Sequence, residues 1–199
     1  YVPPTMGREG IGYFARFGVT GGMIRETLGA ALSRGGEHAD VYFQHRVASD
    51  VGLEDGEVNR AHASVELGVG VRVVKGDQTG YGFTEDLSLP ALLECARTAA
   101  AIADGPSRAG PASLHVAGGL PDRYPLVRPW DEVRPEEKLP ILTALNARAF
   151  AADPRVKKVN VYLRDEAGAI LMADSTGRVV EDRQPMTLLF LSLLAEDGG

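Results

Sequence analysis

The stretch LEDGEVNRAHASVELGVGVRVVKGDQTGYGF, residues 53–83, decides the fold. It reads as the end of one strand, a tight turn, a long second strand, another turn and a third strand. Asp55-Gly56 is a strong hairpin signal, because Asp-Gly suits a two-residue turn whose central residues take positive φ. Residues 57–74 then make a strand of unusual length. Side chains alternate across a strand. Val65, Leu67, Val69, Val71 and Val73 therefore face one way, and Glu66, Gly68, Gly70, Arg72 and Val74 the other.

The turn at Lys75-Gly76-Asp77 sets what lies opposite those glycines, because a one-residue change in length reverses the parity of the next strand. A three-residue turn pairs Val71 with Tyr81 and Val69 with Phe83, and puts Gly70 opposite Gly82 and Arg72 opposite Gly80. A two-residue turn puts the aromatics over the glycines instead. The three-residue version is preferred because it keeps all apolar groups on one side. Gly68, Gly70, Arg72, Gly80 and Gly82 then form a shallow floor bearing one cation. Strand glycines lose packing and cost backbone entropy, and are tolerated where another backbone or a helix comes close. A helix of the same chain is one candidate to cover the floor. A partner chain or an extended peptide is the other, with Arg72 meeting a carboxylate. Glu66, on the same face, is an alternative partner for Arg72.

Outward from this hairpin, residues 20–34 read as a helix capped by Thr20, with Met23, Ile24, Thr27, Leu28 and Ala31 on one stripe. ADVYFQHRV, residues 39–47, reads as a strand. Residues 88–103 form a second helix behind Ser88, with Pro90 in its first turn. From 104 to 133, Pro106, Pro111, Pro121, Pro125 and Pro129 interrupt any pattern. A third helix is expected over 135–152, then four strands at about 156–164, 168–174, 178–183 and 186–196. Asp174-Ser175-Thr176-Gly177 is read as a turn in which Asp174 bonds its own backbone. The last strand is apolar on both faces, so it should be central, covered or at an interface. The expected class is α+β, a large, mostly antiparallel twisted sheet with packed helices. The expected organisation is an N-terminal arm over 1–19, a first α/β half over 20–103, a Pro/Gly-rich connection over 104–133 and a second half over 134–199.

The chain has 199 residues, 44% hydrophobic and 24% charged, with a net charge of −6 and no like-charged block. That composition fits an ordinary globular protein and argues against a nucleic-acid footprint, which needs a basic face. The single cysteine, Cys95, permits no intrachain disulfide. With no signal-like leader and no apolar run of the ~20 residues that span a bilayer, a cytoplasmic protein with no membrane partner is expected. The chemistry motifs are sparse. His38, His45, His62 and His115 have no second histidine three to five residues away, so no helical zinc motif is present. Gly68-Val69-Gly70 lacks the third glycine of a dinucleotide fingerprint, since position 73 is Val. Glu54 and Glu57 flank a solvated turn. From the residues alone this is a binding or scaffolding domain without visible catalytic machinery.

The segments ADVYFQHR and LEDGEVNRAHASVELGVGVRVVKGDQTGYGFTEDLS, followed in order by RPEEKLPIL and ILMADSTGRVVEDRQPMTLLFLSLLAEDGG, resemble the N-terminal domain of the TldD/PmbA metallopeptidase family, over about residues 12–199. The GVGVRVVKGDQTGYGF block looks more like the TldD branch than the PmbA (TldE) branch. The resemblance implies a zinc-dependent peptidase acting on unfolded or leader peptides. It implies a homodimer, or a heterodimer with a PmbA/TldE-like subunit. It places the zinc, held by a His-Glu-x-x-x-His helix and a distant cysteine, in a C-terminal domain outside this sequence. No catalytic, metal or cofactor residue is therefore assigned here, and Cys95 is not the family's metal cysteine. The fragment itself is expected to be inactive. A non-catalytic peptide-binding or partner subunit and a structural interaction domain are the alternatives.

Overall fold

Asp55 and Gly56 both take positive φ, 53° and 89°, so the first hairpin closes as its sequence dictates. It joins β1 (His38–Glu54) to β2 (Glu57–Lys75), and β3 (Gln78–Thr84) returns along β2. The computed structural model describes residues 11–103, 105–106, 110–117 and 123–197. Its other elements are α1 (Gly21–Leu32), α2 (Leu89–Ala100), β4 (His115–Val116), α3 (Pro135–Ala152), β5 (Val156–Asp174) and β6 (Arg178–Ala195). The strands hydrogen-bond in the order β3-β2-β1-β5-β6-β4. The sheet is mostly antiparallel with helices packed on it, the expected α+β class; β4 pairs with β6 in parallel.

The chain folds as two compact units that interleave in sequence. Among the described residues, one holds those within 11–45, 67–117 and 169–182, and the other those within 46–66, 123–168 and 183–197. The first ten residues of the expected arm lie outside the described residues. Residues 12–17 form a 3-10 turn with Tyr13 and Phe14 buried.

In the first unit, α1 starts at Thr20, whose hydroxyl accepts the Met23 N–H at 3.2 Å, and buries Ile24, Thr27, Leu28, Ala31 and Leu32. Ile24, Leu28, Ala31 and Leu32 join Val41 and Phe43 of β1, Val69, Val71 and Val73 of β2, and Leu92, Ala96 and Ala99 of α2 in one core. Ser88 precedes α2 but makes no side-chain cap bond; Asp86 instead accepts the Ser88 N–H at 2.8 Å.

In the second unit, Leu142 of α3 packs on Val51, Leu53, Val161 and Leu163. The hairpin tip is fixed to β5 by two 2.9 Å bonds: the Asp55 N–H donates to the Val159 carbonyl, and the Val159 N–H donates to Asp55 Oδ1.

Two expected strand breaks do not occur. β5 runs through Gly168 and β6 runs through Pro185. At Gly168 a Cβ would stand 3.1 Å from the Gln184 carbonyl, so the glycine marks a close backbone approach rather than a turn. Pro185 is tolerated because, among the described residues, β4 alone lies outside β6 and pairs only with Arg178 and Val179. The turn read at 174–177 does form. Asp174 Oδ1 accepts the Thr176 N–H at 2.9 Å, and Gly177 takes φ 89°.

Candidate functional site

The β2–β3 turn has two residues, not three. Lys75 pairs with Gln78, Arg72 with Tyr81, Val71 with Gly82 and Gly70 with Phe83. Gly76, at φ 58°, supplies the left-handed first position of that turn. The preferred register of the sequence reading is therefore corrected by one residue, and the five-residue floor divides between two faces.

Gly80 and Gly82 lie on the inner face, opposite Val73 and Val71. They let α2 approach as no other residue would. A Cβ on Gly80 would overlap the Ala99 carbonyl oxygen and stand 2.7 Å from Ile102. One on Gly82 would overlap the Cys95 carbonyl and stand 3.0 Å from its Sγ. Cys95 is buried there and its thiol pKa is raised by that burial. For these two glycines the occupant is a helix of the same chain.

Gly68 and Gly70 lie on the outer face, which carries aromatic rings. A Cβ on Gly68 would stand 2.8 Å from the Phe83 ring. One on Gly70 would overlap the Tyr81 hydroxyl. The rings of β3 lie diagonally across β2 and fill the space its glycines leave. Tyr81 and Phe83 remain 63% and 62% exposed, and Tyr42 of β1 is 36% exposed. The Tyr42 hydroxyl is pushed above its ordinary pKa, first by burial and then by the neighbouring Tyr81.

Arg72 completes this face, paired with neither Glu66 nor a free carboxylate. Its Nε–H and Nη2–H both donate to Asp40 Oδ2, at 2.9 and 2.7 Å. Asp40 is buried while the arginine side chain is half exposed. Glu66 belongs to Arg46, with bonds of 2.7–3.0 Å. Behind Asp40, His38 Nε2 stands 3.7 Å from Oδ2, and His38 Nδ1 is 3.3 Å from Ser175 Oγ, which accepts the Ala39 N–H at 3.2 Å. The order Ser-His-Asp is suggestive, but 3.7 Å is too long for a hydrogen bond and Asp40 Oδ2 is already taken by Arg72. What these contacts fix is the direction of Arg72.

The face is thus a shelf of Tyr42, Tyr81 and Phe83 around an arginine of fixed direction. Aromatic residues and arginine are enriched in the buried centres of protein interfaces. Of the residues on this face, the sequence reading named Gly68, Gly70 and Arg72 and did not place Asp40, Tyr42, Tyr81 or Phe83 there. The alternation of β1, with Ala39, Val41 and Phe43 inward, held the signal for Asp40 and Tyr42.

Among the described residues no three His, Cys, Asp or Glu side chains gather to hold a metal. His45 is bonded to the Tyr13 hydroxyl at 2.8 Å. Among the described residues no helix is long and apolar enough to cross a membrane.

A mostly antiparallel sheet with helices packed on it, and an aromatic shelf on one face, defines an α+β module. Comparisons identify its kind. Residues 39–103 match PmbA/TldA metallopeptidase domain 1, and residues 128–199 match the PmbA/TldA metallopeptidase central domain. The chain belongs to the PmbA/TldD metallopeptidase family. It is 30% identical over 165 residues to a metalloprotease TldD homolog of Haemophilus influenzae, covering 82% of this chain and 34% of that protein. A metalloprotease TldD homolog of Buchnera aphidicola is 28% identical over the same shares. The chain therefore spans about a third of the length of these curated relatives. TldE from Thermococcus kodakarensis shares the fold at TM-score 0.62 and 16% identity, over 89% of this chain and 39% of that one. A Bacteroides thetaiotaomicron protein described as a candidate modulator of DNA gyrase does so at TM-score 0.66 and 20% identity, over 89% and 41%.

Proposed function

We propose that these residues are the substrate-cleft and subunit-interface part of a cytoplasmic, zinc-dependent, TldD-like peptidase that cleaves unfolded or leader peptides. The observation that carries this reading is the pairing of two family domain matches in order, domain 1 then central domain, with curated relatives named metalloproteases. The outer face of β1–β3 gives the reading a physical site. Tyr42, Tyr81 and Phe83 offer rigid apolar area at low entropy cost, and Arg72 is held ready by Asp40. This face works as cleft wall or subunit contact, with another subunit, a copy or a TldE-like homologue, set against it. Zinc would be held by residues outside 11–197 and would supply the hydrolytic chemistry, while the residues described here bind and orient the peptide.

The test is made on the full-length gene product. Zinc content is measured, and hydrolysis of an unfolded polypeptide is followed with and without a chelator. Bound zinc with chelator-sensitive cleavage is expected. A full-length protein with neither overturns the peptidase reading. It would favour the second one, a metal-free partner subunit, which the shared fold with a TldE supports.

A further inference from the structure

Strand β6 ends in the most apolar run of the chain, Met186 to Leu194, broken only by Thr187 and Ser192. Every residue from Met186 to Ala195 is exposed. Met186, Leu188, Phe190 and Leu194 stand on one face of the strand, and Leu189, Leu191 and Leu193 on the other, all 38–60% exposed. Among the described residues β4 alone lies outside β6, pairing with Arg178 and Val179, so no described strand runs along the outer edge from Met186 to Ala195. No charge interrupts the run between Arg183 and Glu196. Natural proteins blunt open edges with charges, bulges or a covering element, and β6 has no charge along its apolar half. A long edge strand, apolar on both faces and open along one side, is a surface built to be covered.

We propose that β6 is the seat of the polypeptide that follows the central domain in the full-length protein. That polypeptide adds a strand to the open edge and covers at least one apolar face. This rests on the reading above that these residues belong to a longer peptidase. Two observations select this occupant. The matched region is only 34% of the length of the curated relatives, so most of such a protein lies elsewhere in its sequence. The region that ends with β6 matches a domain described as central, which has neighbours on both sides. A second copy of the chain fits less well. Symmetric pairing of β6 with β6 would use the edge once and leave both apolar faces in water.

The test places the photo-crosslinker p-benzoylphenylalanine at Phe190, and separately at Leu189 on the opposite face, in the full-length protein. The expected product is an adduct of unchanged molecular mass, whose digest joins β6 to a peptide beyond residue 199. An adduct of doubled mass overturns the proposal in favour of a second copy. No adduct at either position, or one confined to residues 11–197, overturns it as well. If one substituted protein does not fold, the other position decides. Zinc content and peptide hydrolysis, measured on the same unsubstituted protein, keep the two ideas apart. An active zinc protein without the cross-link sinks only the docking. A cross-linked protein without zinc or hydrolysis sinks only the peptidase reading.

Discussion

Arg72 donates twice to a single oxygen of Asp40, and the two partners differ sharply in exposure: the carboxylate is buried and the guanidinium is half in water. That asymmetry predicts unequal costs. Arg72→Met leaves a buried carboxylate without its main partner and should destabilise by about 1–2 kcal/mol, below the cost of a fully buried pair because half of the arginine is solvated. Adding Asp40→Asn to that variant should restore part of the loss. Urea denaturation of the single and double variants measures both. Equal stability of Arg72→Met and the unmodified protein would remove the pair from any structural role.

The four glycines of β2 and β3 separate into two kinds. Gly80 and Gly82 face the backbone carbonyls of Ala99 and Cys95, which cannot move without shifting α2. Gly68 and Gly70 face the ends of aromatic side chains, which can swing into solvent. Gly82→Ala should therefore cost about 2–3 kcal/mol, and Gly70→Ala less than about 1 kcal/mol, since a strand prefers alanine to glycine. Adding Tyr81→Ala should make Gly70→Ala neutral. The midpoints of thermal unfolding rank the variants; equal losses at Gly70 and Gly82 would contradict the division of faces.

The error in reading the turn shows where sequence stops being informative. Residues 75–77 admit two turn lengths, and the apolar pattern of 57–83 alone favoured the wrong one. The deciding term is tertiary: α2 needs Gly80 and Gly82 beneath it, and only the two-residue turn at Gly76 supplies them. The same limit explains Gly168 and Pro185, local punctuation overruled by long-range strand pairing. By contrast, Thr20, Asp55-Gly56 and Asp174-Gly177 act through bonds within a few residues, and each was legible. Whether the apolar half of β6 was central, covered or at an interface stayed open in the sequence, because alternation reports faces and not neighbours. The shelf was half legible for a similar reason: glycines announce a vacancy, but the rings that fill it come from another strand.

Gly76 itself gives a clean backbone test. It takes φ 58° and nothing lies within 4 Å of where its Cβ would be, so a side chain there meets strain alone. Gly76→Ala should cost about 1 kcal/mol, and Gly76→Asn less, because asparagine tolerates the left-handed region better. Chemical denaturation distinguishes them; a stabilised Gly76→Ala would place the turn differently.

Tyr42 gives the shelf a pH signature. Its hydroxyl pKa is raised above the ordinary 10.0, by burial first and by Tyr81 second. A group whose folded pKa lies above its unfolded value contributes stability below the unfolded pKa and loses it as pH rises through the folded one. The protein should therefore lose stability above about pH 10 more steeply than its Tyr42→Phe variant. Unfolding free energies across the alkaline range, with phenolate absorbance followed in parallel, check this. Identical alkaline slopes would mean that Tyr42 ionises freely.

The second unit carries its own charge problem. Lys138 and Asp165 are almost wholly buried, 2.5 Å apart, and the lysine also donates to Ser49 Oγ at 2.6 Å. Ser49 Oγ in turn donates to Asp165 Oδ2 at 3.3 Å, and the Trp130 ring lies 5.9 Å from the ammonium. Burying two charges costs several kcal/mol per ion, and their attraction repays it only while both are present. Lys138→Met should therefore destabilise by about 3–5 kcal/mol, because Asp165 is left charged and dry with only a hydroxyl for company. Lys138→Met with Asp165→Leu removes both penalties at similar volume and should lie close to the parent in stability, within about 1 kcal/mol. Ser49→Ala tests the third member alone and should cost about 1 kcal/mol. Urea titration of all three variants compares them directly. A double variant as unstable as Lys138→Met would show that the pair holds α3 in place by its geometry and not merely by mutual neutralisation.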